Sequence, residues 1–383
     1  MKVEHSRRAW ADISLQALKD NSAFVSRQAP GQSITAVIKA NGYGHGMEQV
    51  ARTLSDSSCS VECFAVATMD EVVALNTLVT GKRIVLLPGF KNLEELAYLA
   101  EAGVEFVIHA DYQLAILKRF FLDKNPNRKI SVWLKLNTGM NRLGMSEIAF
   151  RDAYEFLCTS GKIQRLVLMS HLACADASDN SMAATKTERQ ISLFESVKVK
   201  LAPSAGTEVT ASLAASAGIF NWPSSHYDNV RPGIMLYGGS PLQGKTGFSL
   251  GLQPVMTLRS SVIAINEAGS GETIGYGATY TCDSVTRIGV VGIGYADGYP
   301  RSAGTGTPVL VQTDGQYHRT RLLGRVSMDM ITIDLTGLDN AEVGDEVVLW
   351  GQGLSADEVA SHAETISYEL FCRVSERVRF NYY

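Results

Sequence analysis

Residues 83–108 read RIVLLPGFKNLEELAYLAEAGVEFVI and contain one complete strand–helix–strand unit. Arg83–Leu87 and Val104–Ile108 are short apolar runs with β-branched residues, which predicts two strands. Leu93–Ala102, between them, has the periodicity of an amphipathic helix. Two strands joined through a helix are typical of a parallel sheet.

The same alternation covers the first two thirds of the chain. The predicted strands are Ser33–Ile38, Val61–Ala67, Arg83–Leu87, Val104–Ile108, Lys129–Leu136, Gln164–Ser170, Glu208–Ala211 and Asn229–Leu236. The predicted helices include Ser14–Gln28, Met69–Leu78, Leu93–Ala102, Ser146–Cys158 and Thr187–Leu201, and the expected N-caps are Ser14, Asp111 and Ser146. Eight strands alternating with helices predict an α/β fold, a (β/α)8 TIM-type barrel of about 250 residues. A doubly wound open sheet is the alternative, but it usually has fewer strands.

The pattern changes after Gly247. Strand-like runs separated by Gly, Asp, Asn and Thr follow, namely Pro254–Ile265, Arg287–Ile293, Pro308–Gln312, Met330–Leu335 and Glu346–Trp350. Helical periodicity is scarce until Ser355–His362. The sequence therefore predicts two domains, a barrel over residues 1–247 and a mostly-β C-terminal domain over residues 248–383.

Composition excludes several classes of protein as leading interpretations. The chain has 35 Lys and Arg against 39 Asp and Glu, so a nucleic-acid binder with a basic face is not favoured. The six cysteines form no CxxC pair and the seven histidines no metal-binding spacing, so we expect no metal site and a reducing compartment. The first twelve residues, MKVEHSRRAWAD, lack an apolar core, and no apolar run reaches the 18 residues of a membrane span. We expect a cytoplasmic protein that does not enter the membrane.

Residues 239–246, GSPLQGKT, match the phosphate-binding pattern G-x-x-x-x-G-K-[ST]. That loop must be followed by a helix whose first N–H groups face the phosphates. The next eight residues, GFSLGLQP, contain two glycines and a proline, which disfavours a helix. We interpret this segment as a linker between the domains, and a P-loop nucleotide enzyme is a minor alternative.

The strongest chemical signal is residues 36–46, AVIKANGYGHG. A predicted strand ends at Ile38, so Lys39 lies at the rim where barrel enzymes have their active sites. Three glycines within five positions let the backbone approach a ligand closely. A lysine partly withdrawn from water there has a lowered pKa and acts as an amine nucleophile.

This segment resembles the pyridoxal-phosphate (PLP) signature of the alanine racemase family. Further blocks resemble the same family in the same order, at residues 10–21, 132–144, 230–238, 275–280, 294–298, 324–329 and 365–368. Together they cover both predicted domains. The Lys39 block alone would also fit single-barrel PLP carriers and related decarboxylases.

The resemblance implies a homodimer in which the β domain of one subunit closes the barrel mouth of the other. It implies interconversion of L- and D-alanine by two-base proton transfer on a PLP external aldimine, which supplies D-alanine for peptidoglycan. Lys39 is one base and Tyr276 of the partner subunit is the other, because the proton leaves one face of Cα and returns to the other. A phenol base needs nearby positive charge, and the resemblance places His171, backed by Arg231, beside it.

The resemblance also assigns the remaining site residues. The expected cofactor-binding residues are Lys39, Tyr43, His171, Ser216, Arg231, Gly233, Ile234 and Tyr368. Arg142 and Met328 are expected to bind the substrate, Lys135 to carry a carbamate, and Asp176, Tyr295, Arg301 and Ile366 to line the entrance. Asn137 and Ser212 depart from residues that are more usual in the family at those positions.

Two further alternatives follow from the family pattern. A racemase of broader range, acting on serine or basic amino acids, would share these motifs. A PLP-binding carrier barrel without turnover would lack the β domain that the sequence predicts after Gly247.

Overall fold

The computed structural model describes residues 8–79, 81–124, 129–177, 181–201 and 206–383. Residues 1–7, which form much of the charged start of the chain, lie outside the described residues. The strands up to residue 230 are β1 (Trp10–Ile13), β2 (Ser33–Val37), β3 (Val61–Val66), β4 (Arg83–Leu86), β5 (Glu105–Ile108), β6 (Ile130–Lys135), β7 (Ile163–Met169), β8 (Glu208–Ser212) and β9 (Asn229–Val230). Each predicted barrel strand corresponds to one of β2 to β9.

Helices alternate with these strands. They are α1 (Leu15–Gln28), α2 (Met47–Leu54), α3 (Met69–Leu78), α4 (Leu93–Ala102), α5 (Asp111–Lys124), α6 (Glu147–Thr159), α7 (Met182–Lys198) and α8 (Ser216–Asn221). Ser14 and Ser146 cap α1 and α6 as predicted, because their hydroxyls accept the N–H of the third residue after them. Helix α7 begins five residues before its predicted start, with Ser181 as its N-cap.

The strands β2 to β9 form one parallel sheet in which β9 pairs with β2. The sheet closes where a parallel bridge joins Ala215 to Arg231 and the Arg231 N–H donates to the carbonyl of Ala214 at 2.9 Å. Side chains on both faces of the sheet are almost completely buried, Phe64, Phe106 and Trp133 among them. The structure thus confirms the predicted barrel, followed by a mainly-β region.

The predicted strand Asn229–Leu236 is wrong over most of its length. Only Asn229–Val230 is a strand, and Ile234–Tyr237 is a 3₁₀ helix. Pro232 has no N–H with which to continue a ladder, and all four residues of the 3₁₀ helix are buried. The apolar run therefore indicated burial correctly but not the conformation.

The later residues form most of a second sheet, which is antiparallel except where its last strand pairs with β1. Its strands are β10 (Met256–Ala268), β13 (Thr286–Val291), β14 (Pro308–Thr313), β15 (Gln316–Arg321), β16 (Ile331–Asp334), β17 (Glu346–Trp350) and β18 (Arg379–Tyr382), while β11 (Thr273–Ile274) and β12 (Tyr280–Thr281) pair separately. Helices α9 (Ala356–His362) and α10 (Ser367–Arg373) lie between β17 and β18 in the chain. Strand β1 lies in this sheet, between β10 and β18. The division of the chain at residue 247 remains a prediction. Strand β1 belongs to the N-terminal part of the chain but pairs within the second sheet.

In the segment that matches the phosphate-loop pattern, backbone N–H groups bind a protein carboxylate. The N–H groups of Ser240 and Gly247 both donate to the carboxylate of Asp357, at 3.1 and 2.8 Å. Only a three-residue 3₁₀ turn follows, at Phe248–Leu250. Two backbone donors, one within the motif and one directly after it, therefore bind a carboxylate of the C-terminal region.

Among the described residues, no helix has both the length and the apolar character that crossing a membrane requires.

Asn21 joins helix α1 to the connection between the two sheets. Its Nδ2 donates to the carbonyls of Leu236 and Gln253, at 3.0 and 2.8 Å, and its Oδ1 accepts the Gln253 N–H at 2.8 Å. The side chain is almost fully buried. Its loss would leave buried main-chain groups without partners, which destabilises a folded protein.

We expect Asn21→Ala to lower the free energy of unfolding by about 2–4 kcal/mol, since one buried N–H and two buried carbonyls lose their hydrogen-bond partners. Urea unfolding followed by circular dichroism measures this loss. Gln16→Ala is the matched control, because Gln16 lies on the same helix and bonds only the exposed Asp20. A loss for Asn21→Ala no larger than that of the control would contradict the prediction.

Candidate active site

One large cavity, of about 1340 Å³, opens at the carboxyl ends of the barrel strands. The sequence-predicted residues in its wall are Lys39, Tyr43, Lys135, Arg142, His171, Asp176, Ser216, Arg231, Gly233, Ile234, Ile366 and Tyr368. The remaining four, Tyr276, Tyr295, Arg301 and Met328, do not line it. The fold of one chain therefore brings together twelve of the sixteen predicted residues.

The backbone after Lys39 is unusual. Residues 40–43 all adopt left-handed conformations, with φ between 51° and 63°, and three of them are not glycine. The turn is held from outside, because the Ala40 N–H donates to Glu71 at 2.6 Å and the Met47 N–H donates to the Asn41 side chain at 2.9 Å. The backbone thus forms a left-handed turn directly after Lys39.

Glu71 is a site residue that the sequence analysis missed. Its carboxylate accepts the N–H groups of Ala40, Ala67 and Thr68, and so it ties the Lys39 turn to the loop after β3. It also raises the pKa of Lys39, against the larger opposing effects of burial and of Arg142. The signal was present, since Thr68 and Glu71 have the spacing of a capping box and form one.

Positive charge is concentrated in the cavity. Burial lowers the pKa of Lys39, and the nearby charge of Arg142 lowers it further. Burial also lowers the pKa of Lys135 to about 8, and Arg231, Arg142 and Lys39 add to the effect. The same surroundings, with burial the largest cause, lower the pKa of His171 to about 3. His171 is therefore a neutral imidazole at physiological pH, and the positive charge around it belongs to Arg231 and its neighbours.

The buried guanidinium of Arg231 is fixed by three hydrogen bonds. Its Nη1 donates to Ser212 Oγ at 2.5 Å, and its Nη2 donates to the carbonyls of Ser170 and Leu213 at 2.7 and 3.1 Å. Ser212, a departure from the family pattern, is therefore a direct partner of this arginine. Burial lowers the pKa of Arg231 to about 10, so the side chain stays charged near neutral pH.

A second group of donors also lines the cavity. Helix α8 begins at Ser216 and a 3₁₀ helix begins at Ile234, so their first N–H groups have no partner within the helix. A Cβ at Gly233 would lie 2.6 Å from the hydroxyl of Tyr43, and the ring centroids of Tyr43 and Tyr368 are 6.0 Å apart. Burial raises the pKa of both tyrosines, which keeps their hydroxyls protonated. Hydroxyls and helix-start N–H groups are suitable ligands for a phosphate.

Arg142 is exposed at the mouth of the cavity, on a loop built by Asn137. The Asn137 Oδ1 accepts the N–H groups of Gly139 and Asn141, at 3.0 and 3.1 Å. These bonds need only an acceptor oxygen, which an acidic side chain at this position would also supply. The departure at Asn137 therefore preserves the turn that carries Arg142.

The four predicted residues outside the cavity are exposed on the C-terminal region. Tyr276 is 71% exposed, Met328 52% and Tyr295 41%. The loops of the latter two are joined, since the Ala296 N–H donates to the Met328 carbonyl at 3.0 Å and Arg377 pairs with both Asp297 and Asp329. One chain thus presents these side chains on its surface instead of adding them to its own cavity.

Comparison with known proteins agrees with this architecture. The sequence-family model of the alanine racemase N-terminal domain matches residues 13–241. The family model of the alanine racemase C-terminal domain matches residues 255–382. An alanine racemase of Halorhodospira halophila is 44% identical over 375 residues, which cover 98% of this chain and 97% of that protein.

Solved structures share the whole fold. The biosynthetic alanine racemase of Pseudomonas aeruginosa superposes with a TM-score of 0.90 at 40% identity, over 98% of this chain and 99% of that one. The alanine racemase of Bartonella henselae, solved with covalently bound pyridoxal phosphate, has a TM-score of 0.84 at 26% identity, over 98% and 99% of the two chains. The protein described here belongs to the alanine racemase family and is therefore an amino-acid racemase, an isomerase.

Proposed function

We propose that this chain interconverts L- and D-alanine in the barrel cavity, with PLP as the bound cofactor and with two protein groups as proton carriers. The observation that supports this most directly is the position of Lys39. Its amine lies at the end of a barrel strand, has a lowered pKa and lines the same cavity as the donors for a phosphate. The family as a whole depends on PLP, in agreement with this arrangement.

The residues of the cavity fit the cofactor. Tyr43, Ser216 and Tyr368 would hold the phosphate through their hydroxyls, and Ile234 would add a backbone donor. Gly233 would act through Ser216, since its N–H donates to Ser216 Oγ at 2.9 Å. The Lys39 amine would hold the aldehyde end. The guanidinium of Arg231, fixed by strand-end carbonyls, would face the pyridine nitrogen.

When bound, PLP supplies the electron sink that makes the Cα proton of an amino acid removable. Arg231 limits that sink, because a guanidinium cannot accept a hydrogen bond from a protonated ring nitrogen. Most PLP enzymes place a carboxylate at this position. The choice of arginine favours prompt return of the proton to Cα over side reactions such as transamination.

Two groups on opposite faces of Cα are needed to invert the configuration. Lys39 Nζ holds or donates the proton on one face. We assign the other face to Tyr276 of the partner subunit, in a homodimer whose two sites are each completed by the other chain. The exposure of Tyr276, Met328 and Tyr295 on the C-terminal region supports this assignment, since exposed large apolar side chains indicate an interface.

Arg142 would bind the substrate carboxylate, with the Met328 N–H of the partner subunit as a second donor. Lys135 would have to carry negative charge to orient Arg142, since an ammonium beside a guanidinium repels it. Its buried amine, with a pKa of about 8, is partly neutral near pH 8 and in that form can add carbon dioxide to become a carbamate. This modification also reduces the crowding of positive charge in the cavity.

Asp176 and Ile366 of one chain, with Tyr295 and Arg301 of the other, would form a narrow entrance for a small zwitterion. In the proposed dimer, the bulky side chains of Tyr276, Met328 and Tyr368 would leave little room beside Cα, which favours alanine over larger amino acids. We infer that the enzyme works in the cytoplasm and supplies D-alanine for peptidoglycan.

We expect the purified holoenzyme to racemise L- and D-alanine, and to be stimulated by added PLP after dialysis, because Lys39 and the phosphate donors form a cofactor site. Polarimetry with alanine, serine, lysine and arginine measures the substrate range. Borohydride reduction followed by peptide mapping should fix the cofactor to Lys39. A label on another lysine would contradict the cofactor assignment, and faster turnover of serine or lysine would contradict the proposed substrate.

A mixture of Lys39→Ala and Tyr276→Phe chains should regain activity that neither variant has alone. If each site takes its lysine from one chain and its tyrosine from the other, one of the two sites in a mixed dimer is intact, so purified mixed dimers should have about half of wild-type activity. The two chains are co-expressed with different tags, and mixed dimers are purified by size and tag. Inactive mixed dimers would show that the sites are not shared.

Lys135 should give a carbamate signal in a 13C NMR spectrum of the protein in 13C-bicarbonate at pH 8, because an amine with a pKa of about 8 is about half neutral there. Lys135→Gln should abolish the signal. Lys118→Gln is the control and should keep the signal, because Lys118 is exposed on the outer helix α5. A signal that survives in Lys135→Gln would contradict the assignment.

A further inference from the structure

Gln190 is a buried amide outside the cavity that contacts the loops of the active site. It lies on helix α7, whose other buried residues are Ala184, Thr187, Phe194 and Val197. Its side chain is 1% exposed and does not line the cavity. A glutamine on an otherwise mainly apolar inner face has to find partners, because an unpaired buried amide is costly.

The amide finds three partners on two different loops. Its Nε2 donates to Thr138 Oγ1 and to the His171 carbonyl, both at 3.0 Å, and its Oε1 accepts the Ala173 N–H at 2.9 Å. Both amide hydrogens are therefore used. Thr138 belongs to the loop after β6 that carries Arg142, and Ala173 to the loop after β7 that carries His171.

The hydrogen bonds continue toward Arg231 through Ser170. Thr138 Oγ1 and Ser170 Oγ are 2.9 Å apart, and Ser170 Oγ donates to the Leu136 carbonyl at 2.8 Å. Since the Ser170 hydroxyl has one hydrogen, Thr138 must be the donor to Ser170. The Ser170 carbonyl in turn accepts from Arg231 at 2.7 Å. A directed chain thus runs from Gln190 to the strand end that holds Arg231.

The Arg142 loop depends on such external bonds. Residues 137–144 contain no helix or strand, and Gly139, Asn141 and Gly144 have positive φ angles. Beyond the bonds of Asn137 within the loop, Thr138 is the residue of this loop that links it to the His171 side of the barrel. A loop of this kind keeps one position only when packing and hydrogen bonds determine it.

We infer that Gln190 is a positioning residue that fixes the Arg142 loop relative to the His171 loop and so sets the place of the substrate carboxylate. The inference deepens the proposed function and rests on the assignment of Arg142. The side chain does not line the cavity, and it acts through Thr138 and the His171 main chain.

The test compares three variants of the holoenzyme. Gln190→Met keeps the length and burial of the side chain but removes the amide. Thr138→Val removes the hydroxyl that receives its bond, and so keeps the test valid if Gln190→Met fails to fold. Thr187→Val is the matched control, because Thr187 is equally buried on α7 and its hydroxyl donates only to the helix carbonyl of Ala183.

Hydrogen–deuterium exchange measures the order of the loop without reference to turnover. We expect residues 137–145 to exchange about tenfold faster in Gln190→Met and Thr138→Val, and at the wild-type rate in Thr187→Val. With alanine, the KM should rise about tenfold while kcat changes much less, because a displaced Arg142 weakens carboxylate binding. Competitive inhibition by propionate, which has the carboxylate alone, should weaken by the same factor.

The outcomes separate the two proposals. Unchanged exchange in both Gln190→Met and Thr138→Val would overturn the positioning role, and so would equal changes in Thr187→Val. If the exchange result holds but the wild-type enzyme does not turn over alanine, the proposed function is wrong and the positioning of the loop stands. If kcat falls in Gln190→Met and Thr138→Val while KM and the inhibition by propionate both stay unchanged, the role assigned to the Arg142 loop is also overturned.

Discussion

The buried guanidinium of Arg231 lies where the barrel closes, and both the closure and the electrostatics of the cavity depend on it. Its N–H pairs with Ala214 across the seam, and its side chain binds the ends of the two preceding strands at Ser170, Ser212 and Leu213. Removing the hydrogen-bond partners of a buried charge destabilises a folded protein by several kcal/mol. The same residue that joins the last strand to its neighbours thus directs a permanent positive charge into the site.

That charge determines the protonation states of its neighbours. It lowers the pKa of Lys135 and of His171, beyond the larger effect of burial on each. A cavity with Lys39, Lys135, Arg142 and Arg231 in its wall is suited to anions, and the proposed phosphate, carboxylate and carbamate are all anionic. The neutral state of His171 also changes its expected role, since Arg231 behind it supplies the positive charge that a phenolate of the partner subunit would need.

Most elements of the fold could be predicted from short-range patterns. Helices α3 and α4 have their predicted bounds, because an N-cap and an apolar face together define a helix locally. The error at Asn229–Leu236 has a clear cause, since a fully buried apolar run has no periodicity that separates strand from 3₁₀ helix. Strand β15 was missed for the opposite reason: its residues are polar and largely exposed, and it is a strand because β14 pairs with it.

The sequence alone determined the alternation of strands and helices, the lysine at a strand end and the glycine-rich turn, because local patterns encode these features. Only the tertiary structure placed Glu71 behind Lys39, Gln190 between two loops and β1 in the second sheet. Each of these contacts joins residues far apart in the chain, and the hydrogen bonds of a glutamate or a glutamine carry no signal of their partner. The tertiary structure also left Tyr276 exposed on the surface, away from the cavity of its own chain, which no local pattern in the sequence encodes.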